Sequence, residues 1–466
     1  MGDFSVTSSF HTLRSKHPAL RYCGYSLARD GNDVHVTFDI VLEPGIEFKP
    51  TLKFTAPDVS DEALKPYLHH IGMVELISYW KAACPKKVII ETHSLSEEQR
   101  AWWHDLFLHG LGEFYFQNDI DPSDPELLSI ESHGAPLPKA SLGRSGPEFT
   151  GELILAAGGK DSSLALEMLK SFDPAIRREV MILNPTRSAS ESVSIAGYKE
   201  SLIVRRGIDK NLIALNAEGY LNGHTPFSAY LAFLSTMIAD IHGLGSVIVS
   251  NERSASEENA IFHGLAVNHQ YSKGIRFERR FREYAARELP GSASYYSIIR
   301  PLYDLQVSGL FARLAPSHLA SFRSCNVGQK EDKWCGRCPK CAFVGLTLAP
   351  FVSREVHEKI FRTSLFENKE IIGAIEELTG LRDHKPFECV GTLGESRDAV
   401  VLTLAQYEDA KESTPRGLVD IASALSSKGL LPTVEQARAT LRAWNDDHEL
   451  PPTYGRSLQS LLREVL

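Results

Sequence analysis

The sequence has no excess of basic residues, no long apolar run and no secretory signal. Its 50 Lys and Arg against 59 Asp and Glu give a net charge of −9, which argues against a broad nucleic-acid-binding surface. No apolar run approaches the ~20 residues that a membrane-spanning helix needs. The N-terminal sequence MGDFSVTSS lacks the basic region and apolar core of a signal peptide. We therefore expect a cytoplasmic protein with no membrane and no nucleic-acid partner.

Cysteines are also few, and their placement favours a metal over disulfides. Seven are present, an odd number, which fits a reducing compartment better than a disulfide framework. Four of them form the pattern Cys325-x9-Cys335-x2-Cys338-x2-Cys341. Thiolates at such spacing converge on one tetrahedral metal, most often Zn²⁺, and four sulfurs leave no open position for catalysis. The pattern predicts a structural zinc site, with an iron–sulfur cluster or four unrelated thiols as alternatives.

The strongest positive signal is a strand, a tight turn and a helix start in the segment LILAAGGKDSS, residues 153–163. Two glycines let the backbone approach an anion closely, and the free N–H groups at a helix start favour phosphate there. Lys160 adds a cation, and Asp161 is a candidate Mg²⁺ ligand beside the phosphates. This is not a Walker loop, because Asp161 directly follows Lys160. An ordinary turn between a strand and a helix is the alternative. The predicted ATP-binding residues are Gly158, Gly159, Lys160, Asp161 and Ser162.

Composition and periodicity divide the chain into three parts and a linker. Residues 1–133 predict an α+β N-terminal domain, in which residues 34–42 alternate as a half-buried strand does. Residues 134–148 are rich in Gly, Pro and Ser and predict a linker. Residues 149–349 predict an α/β domain that includes the cysteine cluster, and residues 350–466 predict a mainly helical region.

The α/β part predicts a doubly wound parallel sheet with helices on both faces. The predicted strands are Glu152–Ala157, Val180–Leu183, Asn211–Leu215 and Ser246–Ser250. The predicted helices between them are Ser162–Lys170, Ser188–Tyr198 and Ala229–His242. Ligands of such sheets bind beyond the carboxyl ends of the strands. The residues after the fourth strand are therefore candidates for binding substrate or phosphate, with a helix cap and surface charges as the alternative. They are Asn251, Glu252 and Arg253.

These motifs resemble two enzyme families. The loop is similar to the S-G-G-x-D-S loop of the ATP pyrophosphatases, although Ala157 replaces the first Ser. Together with the cysteine cluster it resembles 7-cyano-7-deazaguanine synthase, a much shorter zinc-containing enzyme. Over nearly its full length, the chain resembles the UDP-N-acetylmuramoyl-L-alanyl-L-glutamate epimerases of certain bacteria. The segments that carry this resemblance are AGGKDS (157–162), SNERS (250–254), CGRCPKC (335–341) and HKPFECVG (384–391).

The resemblance implies an ATP pyrophosphatase-like, HUP-type fold and an ATP-dependent epimerase. Such an enzyme converts the terminal L-Glu of the UDP-muramoyl dipeptide to D-Glu. ATP and Mg²⁺ activate the α-carboxylate as an acyl-adenylate, and epimerisation and hydrolysis to AMP follow. Adenylation removes the carboxylate charge and makes the α-proton more acidic, so a positioned base can remove it without pyridoxal phosphate. The enolate that develops needs hydrogen-bond donors or a metal.

No motif identifies the residues that move the proton. His224 precedes a predicted helix, His263 follows the Arg253 region, and Cys389 lies outside the cysteine cluster. Each is an acid/base candidate, and each has an ordinary structural role as its alternative. Further candidates are His269 and Lys273 as proton carriers, and Arg300, Tyr303 and Asp304 near the nucleotide.

Two other functions stay open from the residues alone. One is a different adenylating enzyme, such as a deazaguanine-type synthase or a tRNA thiolase, although the acidic net charge argues against tRNA. The other is a non-catalytic protein that binds a nucleotide or zinc. The UDP-sugar end of the expected substrate has no readable motif.

Overall fold

Strands from two distant parts of the chain join in one sheet. The computed structural model describes residues 6–138, 150–291, 293–328, 331–382 and 384–466. The N-terminal strands are β1 (Ala19–Asp30), β2 (Asp33–Leu42), β3 (Ile46–Phe48), β4 (Thr51–Thr55), β5 (Lys87–Ile90) and β6 (Ser129–Ser132). The later strands are β7 (Glu152–Leu155), β8 (Arg178–Leu183), β9 (Ser201–Gly207), β10 (Ser246–Val249), β11 (Ala260–Phe262), β12 (Leu265–Val267) and β13 (Ser294–Ser297). Among the described residues, β11 and β12 form a separate hairpin and the other strands share one 11-stranded sheet.

The helices cover both faces of this sheet and form the C-terminal region. The first are α1 (Val6–Lys16), α2 (Asp61–Trp80), α3 (Glu97–Gly110) and α4 (Gly112–Gln117). Those between the later strands are α5 (Lys160–Phe172), α6 (Arg187–Ile195), α7 (Lys210–Ala217), α8 (Phe227–Ile241) and α9 (Ile275–Glu288). Those after β13 are α10 (Asp304–Leu314), α11 (Pro339–Leu348), α12 (Arg354–Phe361), α13 (Lys369–Leu378), α14 (Leu393–Asp409), α15 (Arg416–Ser427), α16 (Val434–Arg442) and α17 (Pro452–Val465). In the part of the chain that the structure describes, no helix is both long and apolar enough to cross a membrane.

One half of the sheet has the strand order of a nucleotide-binding fold. The strands β9, β8, β7, β10 and β13 lie side by side in that order and all run parallel. Numbered by their succession in the chain, they read 3-2-1-4-5, which is the order of doubly wound dinucleotide-binding sheets. The order reverses between β7 and β10, so the loops after these two strands diverge and leave a crevice. Both segments that the sequence predicts to bind ligand, residues 157–162 and 251–253, follow these strands.

Alternate residues of the parallel strands pack on opposite faces. Leu153 and Val247 join a core formed with α2, α8 and α9, whereas Ile154 and Ile248 join a core formed with α5, α10 and α11. A strand buried on both faces is typical of α/β proteins. The predicted α/β class with helices on both faces is confirmed.

The sheet is mixed rather than purely parallel, because it continues into the N-terminal strands. β9 pairs antiparallel with β4, and the order then runs β4-β2-β1-β5-β6, with β3 beside β2. Arg206 of β9 reinforces this junction by an ion pair of 2.8 Å with buried Glu75 of α2. The sheet therefore crosses the boundary predicted near residue 133, and the domain division stays a prediction. Residues 139–148 of the predicted linker lie outside the described residues.

One predicted strand is wrong. Residues 211–215 belong to helix α7, and the third parallel strand is β9, which precedes it. The Asp209 side chain accepts a hydrogen bond from Asn211 N and caps the helix. Ile213 is 63% exposed, which a central strand covered on both faces does not allow. The residues after this predicted strand therefore follow a helix, so the rule for ligands at the carboxyl ends of parallel strands does not apply to them.

Candidate functional site

The predicted phosphate loop lies at the crevice between β7 and β10. Gly158 is left-handed, with φ of 78°, and Gly159 is the N-cap of α5. Ser162 closes the loop, because its Oγ accepts a hydrogen bond from Ala157 N at 3.4 Å and donates one to the Gly159 carbonyl at 3.2 Å. Among the described residues, no side chain caps this end of α5. Its backbone N–H groups are therefore available to an anion.

Gly158→Ala is expected to disrupt this loop. The added Cβ would lie 2.4 Å from Ala189 N and from the carbonyl carbon of Ser188, at the start of α6. Gly197→Ala is the matched control, since Gly197 has φ of 83° but nothing lies within 4 Å of its added Cβ. We expect Gly197→Ala to lower the free energy of unfolding in urea by about 1–2 kcal/mol, because of its left-handed backbone alone. We expect Gly158→Ala to lower it by distinctly more. Equal losses would contradict the close contact with α6.

A cavity of about 370 Å³ opens beside the loop. This volume lies within the roughly 300–1,000 Å³ of small-molecule sites. Polar groups line one part of it, and apolar side chains of β8 and α8 line another. The polar lining includes Asp161, Ser162, Ser250, Asn251, Lys273 and Asn326. Such a surface suits a ligand with both a charged and a flat apolar part.

Three carboxylates converge at the start of α5. Carboxylate oxygens of Asp161, Glu252 and Asp304 lie within 4.8 Å of one another, and Glu252 and Asp304 are buried. Mg²⁺ is bound in proteins by carboxylates together with substrate phosphates and water. The residues present therefore fit this ion. The sequence predicts Asp161 for this role, but it places Glu252 among the phosphate or substrate ligands and Asp304 only near the nucleotide.

Lys160 neutralises part of this charge and does not line the cavity. Its side chain is 1% exposed, and its Nζ lies 2.5 Å from Asp161 and 2.5 Å from Asp304. Burial by itself lowers the pKa of Lys160, but the three carboxylates outweigh burial and raise that pKa above its ordinary value. The predicted contact between Lys160 and phosphate therefore competes with two carboxylate contacts.

The residues after β10 separate into cavity lining and outer contacts. Asn251 lines the cavity, and its backbone N–H and carbonyl both bond to the Ser297 hydroxyl at 2.7 Å. Arg253, predicted to contact the ligand, extends its guanidinium to Asp447 at 3.4 Å, near the start of α17. The structure therefore brings Asn251 and Glu252 to the crevice and directs Arg253 away from it.

Arg300 shapes the site from behind rather than contacting a ligand. It is fully buried and forms an ion pair of 2.8 Å with Glu278. It also donates hydrogen bonds to the carbonyls of Glu252 at 2.8 Å and Lys273 at 2.5 Å. Tyr303 is the N-cap residue of α10, directly before Asp304. The contacts of Arg300 fix the backbone of Glu252 and Lys273.

A second ionisable group adjoins the cavity. Cys389 Sγ accepts a hydrogen bond from Lys273 Nζ at 3.2 Å, and His269 is close enough to lower the pKa of this thiol. His269 Nδ1 in turn contacts a carboxylate oxygen of Glu113, and the His224 ring centroid lies 4.2 Å from that of His269. Because Lys273 also lines the cavity, this group is continuous with the loop site. We call these five residues the thiol–imidazole group.

Opposite charges stabilise each other in this group. Burial raises the pKa of Cys389, but Lys273, His269 and Lys340 outweigh burial and lower it to about 6. Burial lowers the pKa of His269, but Cys389 and Glu113 outweigh burial and raise it to about 9. A thiolate beside an imidazolium is therefore the expected state near neutral pH.

Two of the three sequence-predicted acid/base residues, His224 and Cys389, meet in this group, and the third does not. His263 occupies the turn between β11 and β12, with φ of 46°, and its half-exposed ring contacts Asp121 at 3.6 Å. Glu113 of α4 is absent from the sequence-based candidates, since it lies in no motif.

The four clustered cysteines also converge. The Sγ–Sγ distance is 3.9 Å for Cys325 and Cys338, and 3.7 Å for Cys335 and Cys341. A tetrahedral metal with Zn–S bonds of ~2.3 Å requires sulfurs about 3.8 Å apart. All four sulfurs lie within 4.8 Å of one another. The four thiols therefore fit a closed tetrahedral site.

Lys340 links this cysteine cluster to the thiol–imidazole group. It follows Cys338 and Pro339 at the first turn of α11, and its Nζ donates a hydrogen bond to the Cys389 carbonyl. Its charge lowers the pKa of both Cys389 and Asp161. The cysteine cluster thus fixes the position of a lysine whose charge acts on both Asp161 and Cys389.

Two family models cover most of the chain and most of the site residues described above. The MurL N-terminal domain matches residues 11–298, and the MurL C-terminal domain matches residues 321–428. The chain belongs to the MurL family. The first MurL match includes the phosphate loop, Glu252 and His269, and the second includes the cysteine cluster and Cys389. Arg300, Tyr303 and Asp304 lie between the two matches.

Three similar proteins are named UDP-N-acetyl-alpha-D-muramoyl-L-alanyl-L-glutamate epimerase. The chain is 32% identical to the one from Xanthomonas oryzae pv. oryzae, over 86% of this chain and 88% of the relative. It is 33% identical to the one from a Micromonospora species, over 86% of this chain and 87% of the relative. It is 34% identical to the one from Salinispora tropica, over 78% of this chain and 79% of the relative. No solved structure matches this MurL-family chain significantly.

Proposed function

We propose that this chain is an ATP-dependent epimerase in peptidoglycan precursor synthesis. It converts the terminal L-Glu of UDP-N-acetylmuramoyl-L-Ala-L-Glu to D-Glu through an acyl-adenylate. The names of three similar proteins support the epimerase and its substrate. The observation that carries the ATP dependence is the uncapped N-terminus of α5 beside three converging carboxylates, at the reversal point of the parallel strands. We also propose that the enzyme acts in the cytoplasm, where ATP is available.

The first step is adenylation of the terminal α-carboxylate. A carboxylate oxygen attacks the α-phosphorus of ATP, a C(O)–O–P linkage forms, and pyrophosphate leaves. The N–H groups at the start of α5 receive phosphate oxygens, and Ser162 holds the loop around them. Asp161, Glu252 and Asp304 would hold Mg²⁺, which supplies charge neutralisation for the leaving pyrophosphate.

Adenylation makes the subsequent epimerisation possible. In the free substrate, a carbanion at Cα would develop beside a carboxylate that already carries a charge. The mixed anhydride removes that charge, so loss of the α-proton gives an enolate with one negative charge, rather than two, which nearby donors can stabilise. Protonation from the opposite face gives the D isomer, and hydrolysis then releases AMP and the free carboxylate.

The four-cysteine cluster would hold a structural zinc ion in this scheme. Its closed ligand set leaves no position for substrate. Its contribution is to fix α11 and so to hold Lys340 against the Cys389 segment.

The substrate must present a free α-carboxylate on the terminal residue. We expect an analogue with an amidated α-carboxyl to be inert, because it cannot be adenylated. We expect free L-Glu to react far more slowly than the complete substrate, since binding energy from the remote UDP-sugar serves orientation at the reacting carbon. The measurement is D-Glu formed from each compound, determined after acid hydrolysis. Comparable turnover of free L-Glu and the UDP-linked dipeptide would remove the cell-wall assignment.

A further inference from the structure

We infer that Cys389 is the base that removes the α-proton, and that His269 and Glu113 are positioning residues that hold its thiolate. This inference rests on the proposed function, because it assigns a residue to the deprotonation step. The thiol–imidazole group provides a sulfur bonded to the Lys273 ammonium, an imidazole whose charge lowers the pKa of that sulfur, and a carboxylate in contact with the imidazole. This is the arrangement in which a third group orients the partner of a reactive thiol.

Cys389 adjoins the cavity through its contact with Lys273. Its side chain is half-buried and bonds to Lys273, which lines the cavity together with Asp161 and Asn251. The adenylated carboxyl group must lie where α5 meets the phosphates. A base beside Lys273 is therefore near the carbon adjacent to that carboxyl.

The segment around Cys389 is fixed by contacts on both sides of the sulfur. The Lys340 ammonium donates to the Cys389 carbonyl, and Gln270 Nε2 donates to the Val390 carbonyl at 2.9 Å. Asn259 Nδ2 donates to the Pro386 carbonyl at 2.8 Å. These bonds link residues 386–390 to residues 259–270, which include His269, so the Cys–His distance is held by buried hydrogen bonds.

The charges around the sulfur distinguish it from the other free thiols outside the cluster. Burial is the main cause that raises the pKa of Cys84, and it also raises the pKa of Cys23 to about 11. Cys389 instead faces three cationic side chains, Lys273, His269 and Lys340, and its pKa falls to about 6. Among these three thiols, only Cys389 has a lowered pKa.

The proton balance of the step is simple. The Cα–H bond breaks, its electron pair enters the enolate of the acyl-adenylate, and an S–H bond forms on Cys389. The Lys273 ammonium can donate a hydrogen bond to the enolate oxygen. A proton from solvent adds to the opposite face of Cα, and the Cys389 thiol returns its proton to solvent.

The same region offers a competing assignment, a second metal site. Ligand atoms of Glu113, His224 and His269 lie within 4.8 Å of one another. However, His269 Nδ1 contacts the same Glu113 oxygen that lies 3.6 Å from His224 Nδ1. A direct contact between two prospective ligands indicates hydrogen bonding and leaves less room for an ion between them. Two equivalents of zinc per chain, with one lost in His224→Ala, would overturn the thiolate assignment.

The first test separates adenylation from proton transfer in the full-length protein. We expect Cys389→Ala to lower the rate at which the glutamate α-hydrogen exchanges with D₂O by at least about 10²-fold, in line with removal of a general base. Substrate-dependent exchange of labelled pyrophosphate into ATP should stay within about 3-fold of the unmodified protein. Cys23→Ser, which changes a free thiol outside the site, should leave both exchanges unchanged. Retained α-hydrogen exchange in Cys389→Ala would overturn the inference. Absence of pyrophosphate exchange in the unmodified protein would instead overturn the proposed function.

The second test does not depend on activity or on the stability of a cysteine variant. The rate of iodoacetamide reaction at Cys389, followed by peptide mass mapping, should rise with pH to half its maximum near pH 6. His269→Gln should move this midpoint to higher pH, because it removes a cation that stabilises the thiolate. His35→Gln, at an exposed position on β2, is the control and should leave the midpoint unchanged. A midpoint above pH 8 in the unmodified protein would contradict the assignment of Cys389 as a thiolate base.

Discussion

Asp161→Asn is expected to abolish AMP formation while leaving the fold intact. The substitution removes one negative charge from the three converging carboxylates, and a metal ion contributes several kcal/mol to stabilising the charge of the reaction. We therefore expect the rate of AMP and pyrophosphate release to fall by roughly 10³-fold or more. The fold should tolerate the change, because Asn has nearly the same shape and Lys160 keeps its ion pair of 2.5 Å with Asp304.

A matched control separates the loss of a ligand from the loss of a charge. Asp409→Asn removes the same charge at the exposed end of α14, and it should leave AMP release unchanged. Thermal unfolding followed by circular dichroism should show similar midpoints for the two variants. Near-normal AMP release by folded Asp161→Asn would exclude the phosphate loop from the reaction.

Cys341→Ser is expected to have the largest effect on stability. Cys341 is fully buried in the core that α11 forms with α10 and α13, and its sulfur belongs to the four-cysteine cluster. Structural zinc contributes on the order of 10 kcal/mol to folding in small zinc modules. This figure is comparable to the whole free energy of unfolding of a typical protein, so we expect the variant to lose its zinc and most of its cooperative unfolding.

Zinc content and unfolding are measured on the same samples. Elemental analysis of the unmodified protein should give one zinc per chain, and Cys341→Ser should give none. Cys23→Ser, a half-buried thiol outside the cluster, should keep both the zinc and the unfolding midpoint. Absence of both zinc and iron from the unmodified protein would show that the cluster is not a metal site.

The sequence predicts the parts of the site that are contiguous in the chain. The strand, turn and helix start around Gly158 are encoded by neighbouring residues, since the glycine conformation and the helix start are local properties. The cysteine cluster is predicted for the same reason, because three of its four members lie within seven residues. The loop after β10 follows from the rule that ligands bind at the carboxyl ends of parallel strands.

The sequence does not predict the contacts that only the tertiary fold creates. Glu113 and His269 are separated by 156 positions in the chain, and no pattern around Glu113 marks it as a site residue. Lys160 is predicted to pair with phosphate, yet burial beside Asp304 gives it a carboxylate partner from another strand end. The pairing of β4 with β9 also joins distant segments, so it could not be read from local periodicity.

The wrong strand at residues 211–215 has a different cause. Short apolar runs do not distinguish a strand from a helix by periodicity alone. Here the deciding residue is Asp209, which precedes the run and caps a helix. The true strand, β9, contains Arg205 and Arg206, and those charges obscure its apolar pattern. The buried ion pair of Arg206 with Glu75 explains why a central strand tolerates such a residue.

One measurement tests the central claim, that this chain epimerises an adenylated substrate. The protein is incubated in D₂O with ATP, Mg²⁺ and UDP-N-acetylmuramoyl-L-Ala-L-Glu labelled with ¹⁸O in the terminal α-carboxylate. We expect AMP that carries one ¹⁸O, together with pyrophosphate and product D-Glu that carries deuterium at Cα. No D-Glu should form when ATP is omitted. D-Glu formed without ATP, or formed with ADP and phosphate in place of ¹⁸O-labelled AMP, would contradict the acyl-adenylate mechanism.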